Sequence, residues 1–177
     1  MVTVVVIEFS VMRCQPLRRA LAILRRENMD KLETNLVGVA GEYFVAAELS
    51  RKGYIAAITL RNSRGIDIIA SNGDGTKSVS IQVKTNSNGS DKWILSQKSE
   101  NFSSDNHYYV FVAMSADGKQ PSYHIVPSKY VAEKIKNEHK TWLSIPKKDG
   151  KLRKDSSMRT FCDKEKEFLN KWDSLGL

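Results

Sequence analysis

The stretch Ser63-Arg64-Gly65-Ile66-Asp67-Ile68-Ile69-Ala70, followed by SNGDGTK and then Ser78-Val79-Ser80-Ile81-Gln82-Val83-Lys84-Thr85, reads as a β-hairpin. Two apolar runs flank Asn72-Gly73-Asp74-Gly75, whose residues tolerate the positive φ of a tight reversal. Side chains alternate between the faces of a strand, so Val79, Ile81 and Val83 point one way and Ser80, Gln82 and Lys84 the other. On the first run Ile66 and Ile68 share one face and Asp67 takes the opposite one. A reversal near Gly73-Asp74 sets Asp67 beside Gln82 and diagonal to Lys84, with the register open by one residue. Taken alone, these residues read first as the wet face of an ordinary hairpin with a minor Asp–Lys pair.

The segment before the hairpin bears on that choice. Within LVGVAGEYFVAAELSRKGY, residues Leu36, Val39, Tyr43, Ala46, Ala47 and Leu49 fall at near-helical spacing, and Gly53 supplies a C-terminal stop. Glu42 lies among small and apolar residues, where an unpaired carboxylate is costly unless it serves a site. Glu48, six residues on, faces elsewhere and reads as surface. YIAAITL follows as a short buried strand.

A helix carrying Glu, a strand, and a hairpin bearing Asp and QxK resembles the PD-(D/E)XK nuclease superfamily. The resemblance covers roughly residues 35 to 130, and the GxxGExxxxxxLxxxGY pattern is similar to the opening helix of Holliday-junction-resolvase-like and restriction-type members. It implies a restriction-endonuclease-like α/β core, a central mixed sheet flanked by helices, and a site of Glu42, Asp67, Gln82 and Lys84. The implied activity is that of a metal-dependent endonuclease hydrolysing phosphodiester bonds in DNA and leaving a 5′-phosphate.

The chemistry suits those residue types. A hard cation, Mg²⁺ or Mn²⁺, takes oxygen ligands: the Asp67 carboxylate, the Gln82 amide oxygen and the Val83 carbonyl, with waters completing the shell. By resemblance Lys84 orients or helps deprotonate the attacking water and stabilises the charged transition state, while Glu42 holds a coordinated water or a second ion. Ile66 replaces the family proline. Gln82 replaces an acid, which brings less charge to the cation. That change keeps open an alternative, a catalytically impaired nuclease fold that binds nucleic acid; a third reading is a non-catalytic interaction module.

The remaining sequence bounds these readings. The chain has 177 residues, 41% hydrophobic and 27% charged, which is ordinary globular composition for one core with an appendage. A formal charge of +8 favours polyanions, DNA first and RNA second, over a membrane. Between Lys119 and Arg159 eleven Lys and Arg stand against four Asp and Glu, so a surplus of seven is local. Lys147, Lys148, Lys151, Arg153 and Lys154 read as a mobile loop or a phosphate-tracking arm. Arg61 and Arg64, just ahead of Asp67, are placed to contact a nucleic-acid backbone.

Cys14 and Cys162 are far apart and lack ligand-spaced partners, which fits a reducing cytoplasm. His107, His124 and His139 are not clustered in sequence, and no phosphate-binding glycine loop or serine-hydrolase elbow is present. The apolar run Val4 to Ile7 is too short to span a membrane.

Residues 1–30 read as an N-terminal extension, with Met29 as the expected first native residue; the alternative of a presequence is weakened by Glu8, Glu27 and Asp30. Residues 31–141 read as the nuclease-like domain and 142–177 as a basic C-terminal extension packing on it. Within these, Trp93-Ile94-Leu95, HYYVFVAM (107–114) and Ser122 to Val126 read as strands, with Trp93 more a buried anchor than a substrate contact. Tyr108, Tyr109 and Phe111 read as core more than stacking platform. KYVAEKIKNEHK reads as a helix with Val131 and Ile135 inward. IPKKDGKLRKDSSMR reads as a solvated loop, and the tail through Phe168, Leu169 and Trp172 as helical. A homodimer would suit double-strand cleavage, though no surface announces one.

Overall fold

A computed structural model describes residues 34–60, 65–115 and 118–177. The expectations for residues 1–30, including Met29 as the first residue, lie outside the described residues. The elements, in chain order, are α1 (Thr34–Arg51), β1 (Ile55–Ile58), β2 (Ile68–Ser71), β3 (Ser78–Asn86), β4 (Lys92–Ser96), β5 (His107–Ala113), β6 (Ser122–Pro127), α2 (Ser128–Ser144) and β7 (Met158–Cys162).

Five strands form one sheet in the order β1-β2-β3-β5-β6. It is mixed: β3 and β5 run parallel, and the other neighbours are antiparallel. Alternation gives the sheet two apolar faces. On one, Val37, Val45 and Leu49 of α1 pack with Ile68, Val79, Ile81, Val83, Val110, Val112 and Ile125. On the other, Tyr109, Phe111 and Val126 pack with Val131 and Ile135 of α2 and with Trp93, Leu95 and Phe161. The last three belong to a separate antiparallel pair, β4 with β7. The architecture is therefore the expected α/β one, a central mixed sheet flanked by helices.

Trp93 is the expected buried anchor, its Nε1–H donating to the Val112 carbonyl at 2.9 Å. Val131 and Ile135 point inward as expected.

Several sequence readings are corrected. The inward face of α1 is Val37, Gly41, Val45, Glu48 and Leu49, while Leu36 and Tyr43 are more than half exposed. The reason is Gly41: a side chain there would put its Cβ 2.9 Å from Thr85 Cβ, so the missing side chain lets the helix press onto β3. Glu48 is buried rather than surface, because its carboxylate accepts from Arg51 Nη2 at 3.0 Å and from Gln120 Nε2 at 3.1 Å. Strand β1 is not buried. It lies at the sheet edge with Ile55 and Ile58 exposed.

The solvated-loop reading fails at its end, where Met158 and Arg159 enter β7; Arg159 is buried and paired with Glu100. The tail is not helical beyond a short 3-10 turn, Trp172–Leu175, whose Trp172 and Leu175 join the α1-side core. Asp163 replaces helix with turn there: its carboxylate accepts the backbone N–H groups of Glu167 and Phe168 and bonds His124 Nδ1 at 2.6 Å.

Candidate nuclease site

Asp67 sits immediately before β2, where the hairpin ladder ends. The register pairs Ile68 with Ile81, which extends to Asp67 opposite Gln82. Four hydrogen bonds fix this corner. The Asp67 N–H donates to the Ile81 carbonyl at 2.8 Å, and the Asp67 carbonyl accepts from the Thr59 N–H at 2.9 Å. Thr59 Oγ1 donates to the Ile66 carbonyl at 2.6 Å, and the Val83 N–H donates to Asp67 Oδ2 at 2.7 Å. The last bond explains why an acid interrupts an apolar strand: it satisfies a β3 donor that the ending ladder leaves over.

Gly65, two residues earlier, has φ +67° and lies under the Phe102 ring, where a Cβ would come within 3.0 Å of Cε1. Both the left-handed backbone and the close approach require glycine. Thr59 is a member of this corner that nothing in its sequence context marks.

Gln82 and Lys84 are half-buried neighbours on the β3 face opposite Val83, whose side chain is in the α1-side core. Among the described residues neither the Gln82 amide nor the Lys84 ammonium has a side-chain partner. The cross-strand neighbours of this row on β5 are Tyr109 beside Gln82 and Phe111 beside Lys84. Two residues earlier on β3, Ser80 Oγ lies 2.9 Å from His107 Nδ1. Burial holds the His107 imidazole below the ordinary histidine value, with a hydrogen bond at Ser80 opposing it. Burial likewise pushes the Tyr109 phenol up; the neighbouring Ser99 hydroxyl opposes the shift and the Asp67 charge adds to it. The register of β2 on β3 puts Asp67 on the same face as Gln82.

Glu42 enters differently. The close approach of Gly41 to Thr85 sets its backbone beside the Lys84–Thr85 end of β3, but α1 covers the sheet face opposite Gln82 and Lys84. Arg61 and Arg64 lie outside the described residues. Lys147, Lys148, Lys151 and Lys154 are exposed in the loop between α2 and β7. Arg153 is half-buried, its guanidinium 4.8 Å from the Trp142 ring centroid and its Nε–H donating to the Ile145 carbonyl at 2.9 Å. The loop returns to the core where the Gln97 N–H donates to the Ser157 carbonyl at 2.8 Å, at the start of the 3-10 turn Gln97–Glu100 that carries Ser99.

Among the described residues no group of three His, Cys, Asp or Glu could hold a metal. A hard cation that retains most of its waters needs only one or two carboxylates. Asp67 supplies one such carboxylate, with one of its oxygens held by the Val83 N–H.

An opening helix, an antiparallel hairpin bearing Asp67, Gln82 and Lys84, and a parallel strand beside it define the class as an α/β fold with a mixed sheet. No protein-family model and no curated protein matches the chain. Among solved structures it is similar to Hjc, a Holliday junction resolvase of the archaeal hyperthermophile Archaeoglobus fulgidus, at 14% identity and a TM-score of 0.43, covering 78% of this chain and 95% of the resolvase. It is also similar to a bacterial homing endonuclease at 12% identity and a TM-score of 0.44, covering 81% of this chain and 91% of the other. Among the described residues no helix is long and apolar enough to cross a membrane.

Proposed function

We propose that this protein is a metal-dependent endonuclease acting on DNA, with Asp67, Gln82 and Lys84 at its centre. The observation that carries the reading is the Asp67–Val83 hydrogen bond of 2.7 Å, which locks a carboxylate opposite Gln82 and in the row next to Lys84. An ordinary wet hairpin face would leave Asp67 free to pair with Lys84; here its orientation is set by backbone.

On this reading Asp67 and Gln82, with the Val83 carbonyl, hold Mg²⁺ or Mn²⁺, which when bound supplies Lewis-acid polarisation of the phosphate and a more acidic water. Lys84 lies against the scissile phosphate, orients the attacking water and offsets the negative charge that grows on the non-bridging oxygens. Water oxygen bonds to phosphorus as the bond to the 3′-oxygen breaks; the 3′-oxygen leaves with a proton and the other product keeps a 5′-phosphate. Glu42, on α1 where that helix meets the Lys84–Thr85 end of β3, would serve as a further anchor for water or a second ion. The Lys147–Lys154 loop, Arg61 and Arg64 track the phosphate backbone, which positions DNA without reading sequence.

The neutral Gln82 favours a second reading, a nuclease fold that binds nucleic acid without cutting it. Incubating the protein with plasmid and with single-stranded DNA, in Mg²⁺, Mn²⁺ or chelator, separates the two. Metal-dependent products with 5′-phosphate ends support the enzyme; retention of uncut DNA in every condition supports the binder.

A further inference from the structure

A carboxylate can present either oxygen to a cation, whereas an amide has one acceptor end and one donor end. A QxK site therefore needs something that a (D/E)xK site does not, a group that fixes which end of the amide faces the ion. Tyr109 is placed to be that group. It is the Cα partner of Gln82 in the parallel β3–β5 ladder, on the same face. One row earlier in this strand pair, Ser80 and His107 already meet at 2.9 Å.

The Tyr109 ring is held firmly, stacked on Phe111 at 5.6 Å and 11° and edge-on to His107 at 5.6 Å. Its side chain is fully buried, and its hydroxyl, though close to the Ser99 hydroxyl, makes no hydrogen bond of ordinary geometry. A buried phenol left unsatisfied is costly unless a partner arrives in the working state. The aromatic packing that makes Tyr109 look like plain core explains its ring, not its oxygen.

We propose that the Tyr109 hydroxyl accepts a hydrogen bond from the Gln82 amide N–H and thereby turns Gln82 Oε1 towards Asp67 and the cation. Tyr109 is a positioning residue: it acts through Gln82 and touches neither the ion nor the phosphate. The inference rests on the metal-site reading above and assigns the device that lets a neutral amide stand in an acid's place.

The test is Mn²⁺ binding, followed by electron paramagnetic resonance, in the full chain and in Tyr109→Phe, Gln82→Glu and the double variant, with circular dichroism and thermal unfolding checking each fold. Tyr109→Phe is expected to weaken Mn²⁺ binding by about ten- to hundredfold when Gln82 is present, the range for losing a group that orients a ligand. In the Gln82→Glu background the same change should have little effect, because a carboxylate needs no orienting. An equal loss in both backgrounds, or none in either, overturns the inference while wild-type binding leaves the metal site standing. Failure of all four proteins to bind Mn²⁺ overturns the metal site and the inference with it.

Discussion

Asp67 is held by its own backbone on two sides and by one carboxylate oxygen on a third, so its charge can be removed without moving it. Asparagine keeps an oxygen for the Val83 N–H. Asp67→Asn should therefore melt within a few degrees of the parent and yet lose most of its Mn²⁺ affinity. Loss of fold and affinity together would make Asp67 a structural cap only.

Glu48 gives a second residue-scale test. Beside it, buried Tyr123 has its phenol pushed up to about 12 by burial first and by the Glu48 charge second, with Arg51 opposing. An unfolded tyrosine ionises near pH 10. The folded value is raised, so this contribution to stability is fully present below about pH 10 and is lost as the pH climbs through 10 to 12. Spectrophotometric titration should find late tyrosines, one of which Tyr123→Phe removes and Glu48→Gln shifts downward; a late titration unchanged by both variants would contradict the buried pairing.

At the scale of elements, α1 and the hairpin meet through Gly41. Gly41→Ala adds a methyl against Thr85, and overpacking of this kind costs about 1–3 kcal/mol, more than the ~1 kcal/mol of helix propensity gained. Denaturant unfolding should show net loss of stability, with part of it recovered in a Gly41→Ala, Thr85→Ala double variant; a stabilised Gly41→Ala would disprove the close approach.

The same meeting of helix and strand marks what can be read from the sequence. The hairpin, its register to within a residue and the shared face of Asp67 and Gln82 follow from alternation and turn chemistry, which are local. The face of α1 does not. Hydrophobicity points to Leu36 and Tyr43, whereas burial follows the small residue that permits approach, a matter of tertiary packing. Strand β7 is hidden for a similar reason: MRTFC carries a buried arginine whose partner, Glu100, lies 59 positions earlier. Edge strand β1 reads as buried because its residues are apolar, but nothing in IAAI reports its place at the sheet margin.

For the molecule as a whole, five Lys and Arg are gathered on one loop that rejoins the core beside the turn bearing Ser99. If that loop tracks phosphates, neutralising Lys147, Lys148, Lys151, Arg153 and Lys154 should weaken DNA binding alike for all sequences. It should also flatten the dependence of log affinity on log salt by roughly 0.9 for each phosphate no longer neutralised. An unchanged slope would assign the loop to solvent. The central claim, that the hairpin face cuts DNA, is tested most directly by the rate of plasmid nicking in Mg²⁺ by the parent protein and by Lys84→Ala. The account predicts nicking that chelator abolishes and that Lys84→Ala slows by at least about a hundredfold, the scale of a lost charge-stabilising group. Equal rates for the two proteins, or nicking that survives chelator, would contradict it.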